Sequence, residues 1–131
     1  MRRLFIFTIF CLPLLAATPA FSDLHQKGLE AATKGDFVTA LREWKRAAEQ
    51  GNAKSQYNLG QMFRQGIGVT QDFREAVKWY RLAAERGDEV AQYSLGLMYA
   101  QGLGISQNDN EAFKWFKLAA EQGLLEAQYN M

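Results

Sequence analysis

The sequence predicts an all-α fold, a right-handed solenoid of stacked antiparallel helix pairs. Three observations predict it. Residues Asn52–Gly87 and Asp88–Gly123 align without a gap at a spacing of 36 residues, and self-similarity at a fixed period of this size marks a stacked repeat. Within each copy the apolar residues recur at helical spacing. Glycine, Asn and Asp stand where one helix must end and the next must be capped.

The chain opens outside this pattern. Arg2 and Arg3 form a positive start, Leu4 to Leu15 is an apolar run, and Ala16 to Ser22 is mostly small and polar. That is the layout of a secretory signal peptide. Ala20 and Ser22 place small residues at the −3 and −1 positions of a cut before Asp23, and a cut after Ala20 is the alternative. The apolar run is too short for the roughly 20 residues of a spanning helix. Residues 1–22 are therefore expected to be removed on export. Residues 23–131 would form a periplasmic or secreted repeat domain with no stable membrane anchor. Cys11 lies in the apolar run with no small-residue lipobox before it. Once it is removed, the domain has no disulfide or thiolate metal site and must hold by packing alone.

Charge narrows the partners. Removing residues 1–22 takes two arginines and no acid from 15 basic and 14 acidic residues, which leaves 13 against 14 and a formal charge of −1. With no basic excess to neutralise phosphates, nucleic acid is not the expected partner. The alternating signs of Lys78, Arg81, Glu85 and Arg86 describe a solvated helix face.

The elements follow in order. Asp23 to Lys34 reads as a helix with Leu24, Leu29 and Ala32 on one face, and it matches the later copies poorly, as terminal repeats do. Gly35 ends it and Asp36 caps the next helix, Phe37 to Gln50. There Ala40, Ala47, Ala48, Glu49 and Gly51 recur as Ala76, Ala83, Ala84, Glu85 and Gly87, and again as Ala112, Ala119, Ala120, Glu121 and Gly123. Trp44 aligns with Tyr80 and Phe116. Glu43 holds the place of Trp79 and Trp115, so the first copy lacks one aromatic.

Asn52 and Asp88 cap helices running to about Gln65 and Gln101. Ser55, Leu59, Met62 and Phe63 share a face in the first, and Ala91, Leu95, Met98 and Tyr99 repeat the set. Gly60 and Gly96 fall inside these helices, where Gly costs about 1 kcal/mol relative to Ala. Close approach of the paired helix explains them, with Trp79 or Trp115 expected in the space. Gly66-Ile67-Gly68-Val69 and Gly102-Leu103-Gly104-Ile105 form the turns, with Val69 and Ile105 plugging the core beneath. No strand precedes these G-x-G sequences and no G-K-[ST] follows, so they are turns and not phosphate cradles. Asp72 and Asn108 cap the second helices, which carry Ala76, Val77, Trp79, Tyr80, Ala83 and Ala84 on the buried side.

These residues resemble a known family. Leu59-Gly60, Gly66, Gly68, Asp72, Ala76, Trp79, Ala83, Ala84 and Gly87, and again Leu95-Gly96, Gly102, Gly104, Ala112, Trp115, Ala119, Ala120 and Gly123, follow the pattern of Sel1-like repeats. These are tetratricopeptide-like units with a longer turn. Ser55, Phe63 and Asn108 depart from it, where Ala, Tyr and Asp are usual. The resemblance implies units at about 23–51, 52–87 and 88–123 with a partial unit at 124–131. It also implies an α-solenoid acting as an adaptor or scaffold for proteins or peptides. A cysteine-rich branch of the family is linked to β-lactam chemistry, and this sequence lacks those cysteines.

No catalytic or cofactor site is expected. His25 is the only histidine, so there is no H-E-x-x-H, no histidine pair for zinc and no compelling Ser-His-Asp set. An enzyme acting on cell walls or β-lactams is the alternative, supported by family analogy alone. The expected site is a groove lined by the first helix of each unit. Asn58, Gln61 and Arg64 become Ser94, Leu97 and Ala100 in the next copy while the packing positions barely change. Positions that vary so are not needed for stacking. Tyr57, Tyr93 and Tyr129 recur one per unit and either form an aromatic ladder on this groove or pack on the neighbouring helix. At the C-terminus, Leu124 to Met131 repeats the opening of a first helix and exposes apolar groups. Either weak self-association through this end or a truncated longer array is expected.

Overall fold

The structure is a computed structural model that describes residues 20–129, so the predicted signal peptide falls largely outside the described residues. Seven helices form there: α1 (Phe21–Thr33), α2 (Phe37–Glu49), α3 (Ala53–Gln65), α4 (Phe73–Glu85), α5 (Glu89–Gln101), α6 (Asp109–Glu121) and α7 (Leu125–Tyr129). No strand occurs among the described residues. Helices α1 and α2, α3 and α4, and α5 and α6 pack as pairs. Each pair then stacks on the next, α2 against α3, α4 against α5 and α6 against α7. Contacts run mainly from one helix to its successor, the quasi-one-dimensional order of an all-α solenoid.

One three-residue turn is used between pairs. At the end of α2, the Gly51 N–H donates to Ala48 O at 3.0 Å and the Asn52 N–H to Ala47 O at 3.0 Å. Gly51 has φ +95, which a side chain would strain. The same pair of bonds closes α4 on Ala83 and Ala84. The residue that closes this motif also starts the next helix: the side chain of Asn52 accepts from Ser55 N, and that of Asp88 from Ala91 N. Two helix ends that would each leave orphan backbone groups are thus satisfied within three residues.

The longer turns, Gly66 to Asp72 and Gly102 to Asn108, lie inside the second and third pairs. Gln71 Nε2 donates to Arg64 O at 2.8 Å and Gln107 Nε2 to Ala100 O at 3.0 Å, covering carbonyls at the ends of α3 and α5. Val69 and Ile105 pack against the core from these turns.

Three details differ from the sequence reading. First, α1 joins α2 through the short turn, Lys34-Gly35-Asp36. This four-residue saving hid its kinship with the later copies. Its buried face is Leu24, Gly28 and Ala31, and Leu29 is exposed. Second, the aromatics over the helical glycines are not the tryptophans Trp79 and Trp115. A Cβ on Gly60 would lie 2.5 Å from the ring of Tyr80, and one on Gly96 would lie 2.6 Å from Phe116. Gly28 faces Trp44 in the same way. The ring one residue further along each second helix fills the gap, which the 3.6-residue turn places on the side of the paired helix. Third, Glu43 is no open substitute for an aromatic. It is 6% exposed, against 8% for Trp79. Arg42 Nε at 3.0 Å and Arg46 Nη1 at 3.2 Å neutralise its carboxylate from the surface.

Successive layers are joined by a repeated side chain. Gln56 Nε2 donates to Ala48 O at 3.1 Å, Gln92 Nε2 to Ala84 O at 3.1 Å, and Gln128 Nε2 to Ala120 O at 3.2 Å. Each bond runs from the first helix of one unit to the last turn of the helix before it. Gln56 and Gln92 are buried. The fully buried Ala127 holds α7 on α6 beside Ala119 and Ala120, while Leu125 and Tyr129 stay exposed.

Gly60→Ala should destabilise the domain by about 1–3 kcal/mol, the usual cost of overpacking, despite the better helix propensity of Ala. Urea denaturation reads this. A neutral or stabilising effect would mean that the Tyr80 ring does not hold the α3–α4 approach.

Candidate binding groove

A cavity of about 310 Å³ opens along the first helices of the second and third units. Helix α3 gives it Tyr57, Gln61 and Arg64, and α5 gives it Val90, Tyr93, Ser94, Leu97, Met98 and Gln101. Leu103 closes it from the turn after α5, and Leu124 and Glu126 close it from the α7 side. Of the residues singled out by sequence, Tyr57, Gln61, Arg64, Tyr93, Ser94 and Leu97 meet here. Asn58 does not: it borders a separate hollow of about 160 Å³ with Phe37, Trp44 and Met62, among others. Tyr129 is 91% exposed and takes no part in the lining.

The tyrosines both pack and line. The ring of Tyr57 lies 5.9 Å from that of Tyr80, and the ring of Tyr93 lies 5.5 Å from that of Phe116, both tilted. Such contacts fix the rings at the groove wall without a ligand.

Gln61 is the centre of a polar network at the α3 end. It accepts from Tyr80 Oη at 2.6 Å and from Arg64 Nε at 3.3 Å through Oε1, and it donates from Nε2 to Tyr57 Oη at 2.6 Å. Burial pushes the Tyr80 phenol well above its usual range, and burial also raises Tyr57 against the opposing hydrogen bond from Gln61. Both hydroxyls are therefore neutral and keep their protons for hydrogen bonding.

Sequence comparison treated Gln61 to Leu97 as free variation, and the structure shows it is coupled. Where α4 brings the hydroxyl of Tyr80, α3 supplies Gln61. Where α6 brings Phe116, with no hydroxyl, α5 supplies Leu97. A buried hydroxyl without a partner is costly, and an amide facing a bare ring is equally so. The paired change across 36 residues was the signal in the sequence.

Elsewhere, His25 Nδ1 lies 2.8 Å from Ser55 Oγ and links α1 to α3. Burial first, then Lys54, holds this imidazole below its usual range, so it is neutral at pH 7. Among the described residues no group of His, Cys, Asp and Glu could hold a metal ion. None of their helices is long and apolar enough to cross a membrane.

The model of the Sel1 repeat matches residues 15–52, 53–88 and 90–124. The chain belongs to the Sel1 repeat family. Solved structures of Sel1 proteins share its fold. The protective antigen c5321 of uropathogenic Escherichia coli, which displays an SLR fold, is 35% identical with a TM-score of 0.79 over 82% of this chain and 24% of its own. A Sel1 repeat protein from Oxalobacter formigenes is 34% identical with a TM-score of 0.79 over 82% of this chain and 46% of its own. This Sel1 chain thus spans less than half the length of either. Cysteine-rich protein B of Helicobacter pylori, at 20% identity and a TM-score of 0.69 over 85% of this chain and 94% of that one, shows the same fold. No curated protein matches the chain.

Replacing Gln61 by Leu should cost about 1–3 kcal/mol, because Tyr80 Oη is left buried without its partner. Adding Tyr80→Phe should recover most of that loss, since the double variant carries the Leu97 and Phe116 pairing of the next unit. A double-mutant cycle in urea checks this. Additive losses would mean that the network does not couple the two helices.

Proposed function

We propose that the chain is an exported Sel1-repeat adaptor that binds a protein or peptide through the groove along α3 and α5. Sel1 repeats commonly serve as protein-interaction scaffolds. The observation that carries the finer reading is the cavity itself. It gathers six residues at positions that differ between copies or repeat as tyrosines, and its walls mix apolar side chains with a fixed polar cluster. A mostly apolar concavity with a few set polar groups is the usual form of a binding site.

Export is supported by the N-terminal sequence and by where the core starts. Phe21 and Ser22 are exposed, and Leu24 is fully buried. A cut before Asp23 therefore removes none of the described core. The domain would then work in the periplasm or outside the cell.

The test uses the chain expressed with its N-terminal segment and a C-terminal tag, recovered from the periplasmic fraction. Its intact mass should start at Asp23 and its captured partners should be saturable. Ser94→Trp fills the groove while removing no packed aromatic, so it should abolish capture and leave helix content unchanged. Undiminished capture by a folded Ser94→Trp protein would place the interaction on another surface. A mass that includes Met1 would overturn export.

A further inference from the structure

The groove holds a cation that the fold itself does not neutralise. Arg64 is half-buried in its wall. Among the described residues the ion pairs are Arg42 and Arg46 with Glu43, Lys78 with Glu75, and Lys114 with Glu111, and Arg64 takes part in none. Withdrawing a charge from water without an opposite charge is unfavourable. A guanidinium with no structural duty would swing out to solvent, since its long side chain can keep the head in water. This one is instead tethered. Nε donates to Gln61 Oε1, and Gln61 is itself fixed by Tyr80 and Tyr57. With Nε on Gln61 and the guanidinium beside the Tyr80 hydroxyl, the side chain is held at the groove wall, and a guanidinium carries the planar fork that matches a carboxylate with two parallel bonds.

The surroundings complete the chemistry. Val90, Leu97 and Leu103 form an apolar wall alongside. The next unit carries Ala100 in the register of Arg64, so the cation is not repeated along this row. The other charged residue of the lining, Glu126, comes from α7 and has the opposite sign. An acidic group is thus drawn to the α3 end of the groove.

Resting on the reading that this groove takes a polypeptide, we propose that Arg64 is a carboxylate-recognition residue. Its ligand is a peptide segment in which one acidic side chain is flanked by aliphatic residues. The carboxylate sits on the Arg64 guanidinium, and the flanking aliphatic groups lie on Leu97 and Leu103.

The test titrates two capped peptides, acetyl-Leu-Ala-Glu-Leu-amide and acetyl-Leu-Ala-Gln-Leu-amide, into the mature protein by amide NMR. The Glu peptide should shift the amides of α3 and α5 and bind on the order of tenfold tighter than the Gln peptide, the value of a charge-assisted bond. Arg64→Gln should erase that preference, while Arg64→Lys should keep part of it. Both variants are checked for unchanged helix content. Equal binding of the two peptides would overturn the carboxylate assignment and leave a peptide groove standing. Binding of neither, with Ser94→Trp still blocking partner capture, would overturn the assignment while the groove remains the binding site. Binding of neither, with capture insensitive to Ser94→Trp, would remove both.

Discussion

The stack depends on one hydrogen bond made once per layer, buried at Gln56 and Gln92. Gln56, Gln92 and Gln128 each reach back to a carbonyl in the last turn of the preceding helix. A helix C-terminus carries unsatisfied carbonyls, and burying it under another layer withdraws them from water. The glutamine adds a second donor to a carbonyl that the N–H of the turn glycine already caps, and it ties the next helix to that carbonyl in the same contact. The Ala47, Ala83 and Ala119 positions are fully buried there, small enough for the backbones to approach. Without the amide the interface would still be apolar, but each junction would lose one directional contact that favours its register.

Register is what creates the groove. The lining comes from α3, α5 and the α7 side, so its shape follows from the offset between units and not from any one of them. Within a unit the aromatic-on-glycine contact fixes the second helix against the first. The polar network then uses this rigidity. Tyr80 is held over Gly60 and its hydroxyl fixes Gln61, which in turn fixes Arg64 and Tyr57. A side chain that packs the core thereby orients a charge at the surface, without loops or moving parts.

Much of this was legible in the sequence, because a repeat supplies its own alignment. The caps at Asp36, Asn52, Asp72, Asp88 and Asn108 and the left-handed glycines Gly66 and Gly102 follow from local backbone chemistry. The variable positions Gln61, Arg64, Ser94 and Leu97 could be singled out because substitution between copies separates packing from the rest. What was not legible involved two helices at once. The ring over Gly60 belongs to Tyr80 and not Trp79 because of the rotational offset of α4 about its axis, which spacing along one helix does not give. The burial of Glu43 depends on Arg42 and Arg46 closing over it from the surface. The kinship of α1 was hidden by a turn four residues shorter. The bridging glutamines recur in the sequence before the tyrosines, as Gln56-Tyr57, Gln92-Tyr93 and Gln128-Tyr129, yet their partner is a backbone carbonyl, which leaves no mark in sequence.

Native-state hydrogen exchange on Gln92→Leu tests the layer account most directly. Leu keeps the apolar bulk and removes both the amide donor to Ala84 O and the acceptor of Gln122 Nε2, so the effect should fall on the α4–α5 junction and on the end of α6. The account predicts a loss of about 1–2 kcal/mol, with the amides of α5 and α6 opening together at a lower free energy than those of α3 and α4. That separation is the behaviour of stacked units coupled through nearest-neighbour interfaces. An unchanged exchange pattern, or an equal loss of protection in all four helices, would contradict the claim that this bond holds one layer to the next.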